Sequence, residues 1–368
     1  MSHKVSSCEV LVAGGGIIGA ACARAAALRG LRVIICDPGP DPTAASAASA
    51  GILAPQIESA DESLRALGLR ARELYDTLAA SLAETTEIDI GLWRDGVASL
   101  AFTDAEAERL RDAVAHQRQA GLRCDWLEAT DVAERFPAAA QCVGALFAPE
   151  DGAVDAPALT RALLADAKRL GVQTHQSRVN RIKTILGRAT GVEIPAGKIK
   201  AEHVVIAAGA WSPQIDHLPR HLPVVPVRGQ MASAPWPADM PRTVLYYDHA
   251  YVLARQGEAL FGSTMEHVGF QGGVTESGIA QIVAAAQRLV PSLPAAPTRT
   301  WSGLRPLTPD GRPILGPDPD VRGLWYATAQ GRNGVLLAAP TGEIIASLIT
   351  TGTSEIEIAS LAPERFSS

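Results

Sequence analysis

No long run of like charge occurs anywhere in the 368 residues, and 33 basic against 39 acidic side chains leave a formal net charge of −6. A nucleic-acid footprint needs a clustered basic face, and so does binding to an acidic membrane, so neither is expected. Cysteine is sparse: Cys8, Cys22, Cys36, Cys124 and Cys142 are odd in number, scattered and never spaced C-x-x-C. That argues against a disulfide framework or a zinc site, so no metal is expected, and reduced thiols in a cytoplasm fit better. Long apolar runs are missing too. The charge-free stretch from Val10 to Ala23 is fourteen residues, whereas a membrane-spanning helix needs about 20. It follows Lys4 as a signal-peptide core would, but three consecutive glycines interrupt it. Internal repeats, low-complexity linkers and coiled-coil heptads are likewise lacking. What remains is a chain for a small, soluble substrate.

Its length allows two domains of ordinary size, and 47% apolar residues suffice for a sizeable core. The stretch that organises it is EVLVAGGGIIGAACARAAALRGLRVIICD, Glu9 to Asp37. It reads as strand, glycine turn, alanine-rich helix and second strand. Gly14, Gly16 and Gly19 stand at the spacing G-x-G-x-x-G. The first permits the tight turn, the second lets a pyrophosphate approach the backbone, and the third lets helix and strand pack closely. The helix N-terminus then aims free N–H groups at phosphate. Asp37 ends the second strand, where its carboxylate can accept hydrogen bonds from a ribose. A dinucleotide site is the expectation. Only one such motif is present, so a second dinucleotide has no evident place.

After Asp37, the segment TAASAASAGILAP at 43–55 is either a small-residue core helix or a stretch that lets backbone approach a flat ligand. Residues 61–83 predict an amphipathic helix with Leu64, Leu67, Leu74, Leu78 and Leu82 near helical spacing. Trp93 to Phe102 reads as extended and Asp104 to Ala120 as a solvated helix. There Glu106, Glu108, Arg109 and Arg111 are expected as surface charges. A further helix is predicted from near Pro157 to before Gly171, with proline and glycine at their favoured ends. HVVIAAGAWS at 203–212 reads as a buried parallel strand whose C-terminal end abuts a ligand. Between 215 and 300 the pattern alternates, as half-buried antiparallel strands would. That is a second, inserted domain. LWYATA at 324–329 is another strand, and GRNGVLLAAPTGEIIASLI at 331–349 a loop feeding an apolar helix.

Seven segments occur in a telling order: the glycine motif, SAGILAP, HVVIAAGAWS, VPVRGQ, GSTMEHVGF, WSGLRPLTPDG and RNGVLLAAPTG. Together they resemble the D-amino-acid oxidase superfamily of FAD amine oxidoreductases, most closely its glycine oxidase branch associated with thiazole (thiamine) biosynthesis. The resemblance covers nearly the whole chain, with Glu58 to Cys142 carrying little of it. It implies an α/β fold, in which a Rossmann-like FAD-binding domain (1–90, 147–215 and 300–368) carries an inserted α+β substrate domain (91–146 and 216–299) built on an antiparallel sheet. FAD is the implied dinucleotide, its ADP half on the N-terminal unit and its ring under that sheet. Beyond the glycines and Asp37, the implied contacts are Ile17 and Ile18, then Ser46, Ser49, Ala50 and Gly51. Val179, Ala208, Gly209 and Trp211 follow, and then Arg332, Asn333, Gly334 and Val335. Some members attach flavin through a cysteine before T-P-D. Gly303, Leu304, Arg305 and Pro306 stand there instead, so a noncovalent flavin follows.

Arg305 is the expected substrate ligand, because a guanidinium fork offers a carboxylate two parallel charge-assisted hydrogen bonds. The resemblance matches Tyr251 to a hydroxyl donor for the same carboxylate, Arg332 to a second pocket arginine, and Met265 to a pocket-lining methionine. One departure stands out: Gln330 and Gly331 replace the histidine and aromatic residue usual in glycine oxidases, which widens the pocket. The favoured reading is oxidative deamination of a small amino acid, with oxygen or another electron acceptor completing the cycle. A D-amino-acid or cyclic imino-acid dehydrogenase passing electrons to a quinone or partner protein is the first alternative. A non-catalytic flavin-binding subunit is the second. A homo-oligomer is compatible with all three.

Overall fold

In a computed structural model of the chain, which describes residues 7–58 and 61–366, two eight-stranded sheets form the framework. Strand Ser7–Ala13 lies inside the first sheet, parallel to Val33–Asp37 on one side and to Gly197–Ile206 on the other. Gln173–Gln176 extends the parallel run at one edge and Leu324–Thr328 at the other, with Ile314–Pro317 antiparallel beyond it. A hairpin, Arg181–Ile185 and Arg188–Ile194, folds back onto Gly197–Ile206.

The central strands are apolar on both sides because both faces are covered. Val10 and Val12 pack with the helices Ile17–Leu28, Glu62–Thr86, Ala156–Arg169 and Ala338–Thr351, whereas Leu11 and Ala13 pack with Ile182, Ala189 and Val192 of the hairpin. Helix Ile17–Leu28 is buried through Ala27, which explains its composition: alanine allows close approach from every direction. Asp61 caps the long helix by accepting from the Leu64 N–H at 3.0 Å, and Asp155 caps Ala156–Arg169 in the same way. The segment 43–55 is a single turn, Ala45–Ala48, followed by a short strand, Ile52–Leu53, paired with Gly152–Ala153. The helix expected from Asp104 runs Asp104–Gln119. Its Glu106 is more than a surface charge: it completes a capping box with Thr103 and accepts from the Tyr247 hydroxyl at 3.0 Å.

The second sheet runs in the order Arg299–Leu307, Val225–Pro235, Glu258–Gly262, Ala250–Arg255, Val244–Tyr247, Val97–Ala101, Gly144–Ala148 and Asp125–Glu128. It is antiparallel except where Val244–Tyr247 meets Val97–Ala101. The boundaries expected at residues 147 and 300 need correction, since both fall within strands of this sheet. Backbone hydrogen bonds tie Gly144–Ala148 to Val97–Ala101 and Arg299–Leu307 to Val225–Pro235. Arg305 therefore sits on the antiparallel sheet, not on the dinucleotide unit.

Candidate active site

A cavity of about 470 Å³ follows the seam where the C-terminal ends of the parallel strands meet the second sheet. Strand order places it at the switch point, because the chain leaves Ser7–Ala13 towards Val33–Asp37 on one side while Gly197–Ile206 lies on the other. At one end the walls are backbone and small side chains. Gly14 has a φ of +113°, and a Cβ there would lie 2.4 Å from the Ala207 carbonyl oxygen. A Cβ on Gly19 would lie 1.9 Å from the carbonyl of Gly14, so this glycine serves packing and is not itself on the wall. The Ile17 N–H donates to Ser46 Oγ at 2.9 Å, tying the small-residue segment to the start of the first helix. Asp37 accepts from the Gly15 N–H at 2.6 Å and the Gly39 N–H at 2.8 Å.

Of the other positions expected to line this region, Gly16, Ile17, Ile18, Ser49, Ala50 and Gly51 do so, and so do Val179, Ala208, Gly209, Trp211, Gly334 and Val335. Asn333 does not, and its buried Oδ1 has no hydrogen-bond partner among the described residues.

The opposite end is made of polar side chains. Arg305 Nη1 donates to the Thr264 carbonyl at 3.1 Å, and Nη2 donates to Ser263 Oγ. Among the described residues no carboxylate pairs with Arg305, although its surroundings are dry enough for burial to pull its pKa below the ordinary arginine value. Its course is dictated by Gly229. Arg305 stands opposite Val227 in the strand pairing, so its side chain crosses the position two residues along, where a Cβ would lie 2.1 Å from Nη1. Tyr251 is 6% exposed, and its hydroxyl points to Met231 Sδ at 3.2 Å. Burial pushes its pKa up to about 12, against the opposing effect of Arg305, so it stays a neutral donor.

Met265 does not join the cavity wall. The chain leaves the sheet after Gly262, and Glu266 pairs with the Arg228 backbone, which leaves Met265 42% exposed with its sulfur 3.5 Å from Arg305 Nη1.

Arg332 does line the cavity, but it is engaged. Its Nη2 lies 3.1 Å from Glu58 Oε1, and the Tyr246 hydroxyl donates to the same oxygen. Burial opposes the charge of Arg332, yet Glu58 outweighs it and raises the arginine's pKa above its ordinary value. Burial, aided by the Glu58 charge, drives the Tyr246 pKa well above the usual phenol range.

Residues 9–348 match the family described as FAD dependent oxidoreductase. The chain belongs to that family. It is 35% identical to a glycine oxidase of Geobacillus kaustophilus (strain HTA426), covering 98% of this chain and 96% of that one. It is also 35% identical to the bifunctional protein ThiO/ThiG of Trichormus variabilis, of which it spans 53% with 94% of its own length. The crystal structure of glycine oxidase from Geobacillus kaustophilus superposes with a TM-score of 0.92 at 33% identity, over 97% of this chain and 98% of that one.

The enzyme is thus an FAD-dependent oxidoreductase, and its residues fit the cofactor. The first helix begins at the cavity with no acidic side chain in its first turn, as phosphate requires. Gly303 keeps the wall flat: a Cβ there would meet the Ala48 methyl at 2.5 Å. Gln330, 4% exposed and on the wall, has an Nε2 with no partner among the described residues; buried donors are rarely left so without a ligand to satisfy them. Glu58, Tyr246, Met231, Ser263 and Gly229 were not among the expected site residues. Gly229 and Ser263 had a local sign, inside VPVRGQ and GSTMEHVGF; the others are ordinary residues whose meeting depends on the fold. No cluster of metal-ligating side chains occurs among the described residues, and no helix there is long and apolar enough to cross a membrane.

Proposed function

We propose that the enzyme oxidatively deaminates a small α-amino acid: amino acid, water and oxygen give a 2-oxo acid, ammonia or an amine, and hydrogen peroxide. The observation that carries this is Arg305, a half-buried guanidinium at the cavity with no carboxylate partner among the described residues. Such a group demands an anion. A substrate carboxylate would take both ends of the fork, and Tyr251 would turn its neutral hydroxyl from Met231 to the same group. FAD, when bound, supplies the hydride acceptor for the α-carbon. Because Arg305 fixes the carboxylate, the α-carbon has one orientation, and near-attack geometry of this kind lowers barriers by several kcal/mol. No side-chain base is needed if the amine arrives neutral; the imine released is hydrolysed by water.

The residues that would hold FAD are the glycine turn, Asp37, the 46–51 segment and the loop from Gln330 to Val335. Attachment is noncovalent in this reading. No cysteine lies between Gly303 and Pro306, and the Cys36 thiol at the cavity is kept neutral by burial, which pushes its pKa up to about 12. Gln330 and Gly331 support a bulkier substrate as the second reading, since this pair leaves room that a histidine and an aromatic ring would fill. Oxygen as acceptor, thiamine biosynthesis as the setting and a cytoplasmic location belong to the first reading. Anaerobic bleaching of the bound flavin by glycine, sarcosine, D-amino acids and prolines tests both. Glycine or sarcosine acting fastest supports the first, D-amino acids or prolines the second, and no bleaching by any of them rejects both.

A further inference from the structure

The cavity end near Arg305 holds two guanidinium groups, and only one is available. Arg332 lies on the loop after strand Leu324–Thr328 of the first sheet. Glu58 ends the short helix Pro55–Glu58, with its side chain only 8% exposed. Tyr246 comes from strand Val244–Tyr247 of the second sheet, and its hydroxyl anchors the Glu58 oxygen that meets Arg332. Its ring also lies 5.6 Å from that of Tyr251. The carboxylate is therefore held from both sheets. Counting Arg305, Arg332 and Glu58, this end carries a net charge of +1, which one carboxylate neutralises. A second carboxylate would face the Glu58 anion, or would have to displace it and leave it buried without a cation.

We infer that Glu58 is a specificity-determining residue: by occupying Arg332 it leaves Arg305 as the one guanidinium open to substrate at this end, and so selects amino acids with one carboxylate over those with two. This rests on the amino-acid reading above. Removing the Glu58 charge while keeping its shape releases Arg332 as a second anchor, and the preference moves towards dicarboxylates.

The test titrates FAD-loaded enzyme with acetate and with malonate, following the flavin absorbance, so that no turnover is involved. Wild-type enzyme is expected to bind malonate no more than about threefold tighter than acetate. Glu58→Gln should raise the malonate-to-acetate affinity ratio by about tenfold or more, and adding Arg332→Gln should abolish the gain. Tyr246→Phe, which loosens the carboxylate without removing it, should move the ratio in the same direction by less. A ratio unmoved by Glu58→Gln while acetate still binds overturns the inference alone. So does a wild-type preference for malonate of about tenfold, which decides the matter even if Glu58→Gln fails to load FAD. Wild-type enzyme whose flavin responds to neither acid overturns the amino-acid reading itself.

Discussion

The two ends of the cavity are built in opposite ways. At the dinucleotide end the chain contributes backbone: one contiguous strand–turn–helix–strand unit, Ser7 to Asp37, supplies Gly14 and Gly19, where an added Cβ would run into backbone. At the other end Glu58, Tyr246, Tyr251, Arg305 and Arg332 converge as side chains from segments far apart in sequence. The first end recognises what its cofactor has in common with other dinucleotides. The second places a small number of charges, and single atoms decide which are free. Damage to the first should therefore cost cofactor and fold together, while damage to the second should cost substrate and leave the flavin in place.

The largest effect expected is at Gly19. Gly19→Val places a Cβ 1.9 Å from the Gly14 carbonyl oxygen, and backbone cannot yield there as a flexible side chain can. Purified variant should carry almost no FAD, measured as flavin absorbance per chain; a fully yellow protein would break the contrast between the two ends. Next comes Arg305→Ala, which should lower kcat/KM by about 3–6 kcal/mol, two hydrogen bonds to a charged group at roughly 1.5–3 each. Arg305→Lys should recover only part, since a point charge lacks the fork. Both should keep a near-normal flavin spectrum.

Gly229→Ala sharpens the same point. Its methyl would displace the end of the Arg305 side chain rather than backbone. FAD content should be retained while kcat/KM drops by about tenfold or more, and unchanged kinetics would mean that the Arg305 path over Gly229 is dispensable. Asp37→Ala should weaken FAD affinity by about tenfold, through lost hydrogen bonds worth about 1.5 kcal/mol. Turnover at saturating FAD should be unaltered, and selectivity among amino acids should not change. The smallest effect is with pH. Burial raises the Tyr251 pKa to about 12, so the neutral hydroxyl persists below that value and is lost only as pH rises through it. Acetate affinity should be flat between about pH 7 and about pH 9; an alkaline break in that window that Tyr251→Phe removes would show a phenol less shielded than this geometry requires.

Much of the fold is legible along the chain because its signals are local. Glycine spacing, the apolar runs Val10–Val12 and Val204–Ile206, and the leucine spacing of Glu62–Thr86 each reflect the geometry of one element. The domain edges were less legible. Arg299–Leu307 follows the inserted region and precedes a strand of the first sheet, and nothing in its own residues says which sheet its hydrogen bonds will complete. Gly229 shows a similar limit: it is visible as part of a motif, but its reason is the path of a side chain on the neighbouring strand.

By itself the sequence determined that a dinucleotide turn stands at the start and that the chain is mixed α/β, because turn sterics and hydrophobic periodicity act within a few residues; Arg305 became a candidate anchor through the resemblance carried by WSGLRPLTPDG. Only the tertiary structure decided that, among the described residues, Arg305 has no carboxylate partner while Arg332 has Glu58, and that Met265 stands outside the cavity wall. The availability of a charge depends on which opposite charge lies within a few ångströms of it. For Arg332 that partner is Glu58, 274 residues away in the chain.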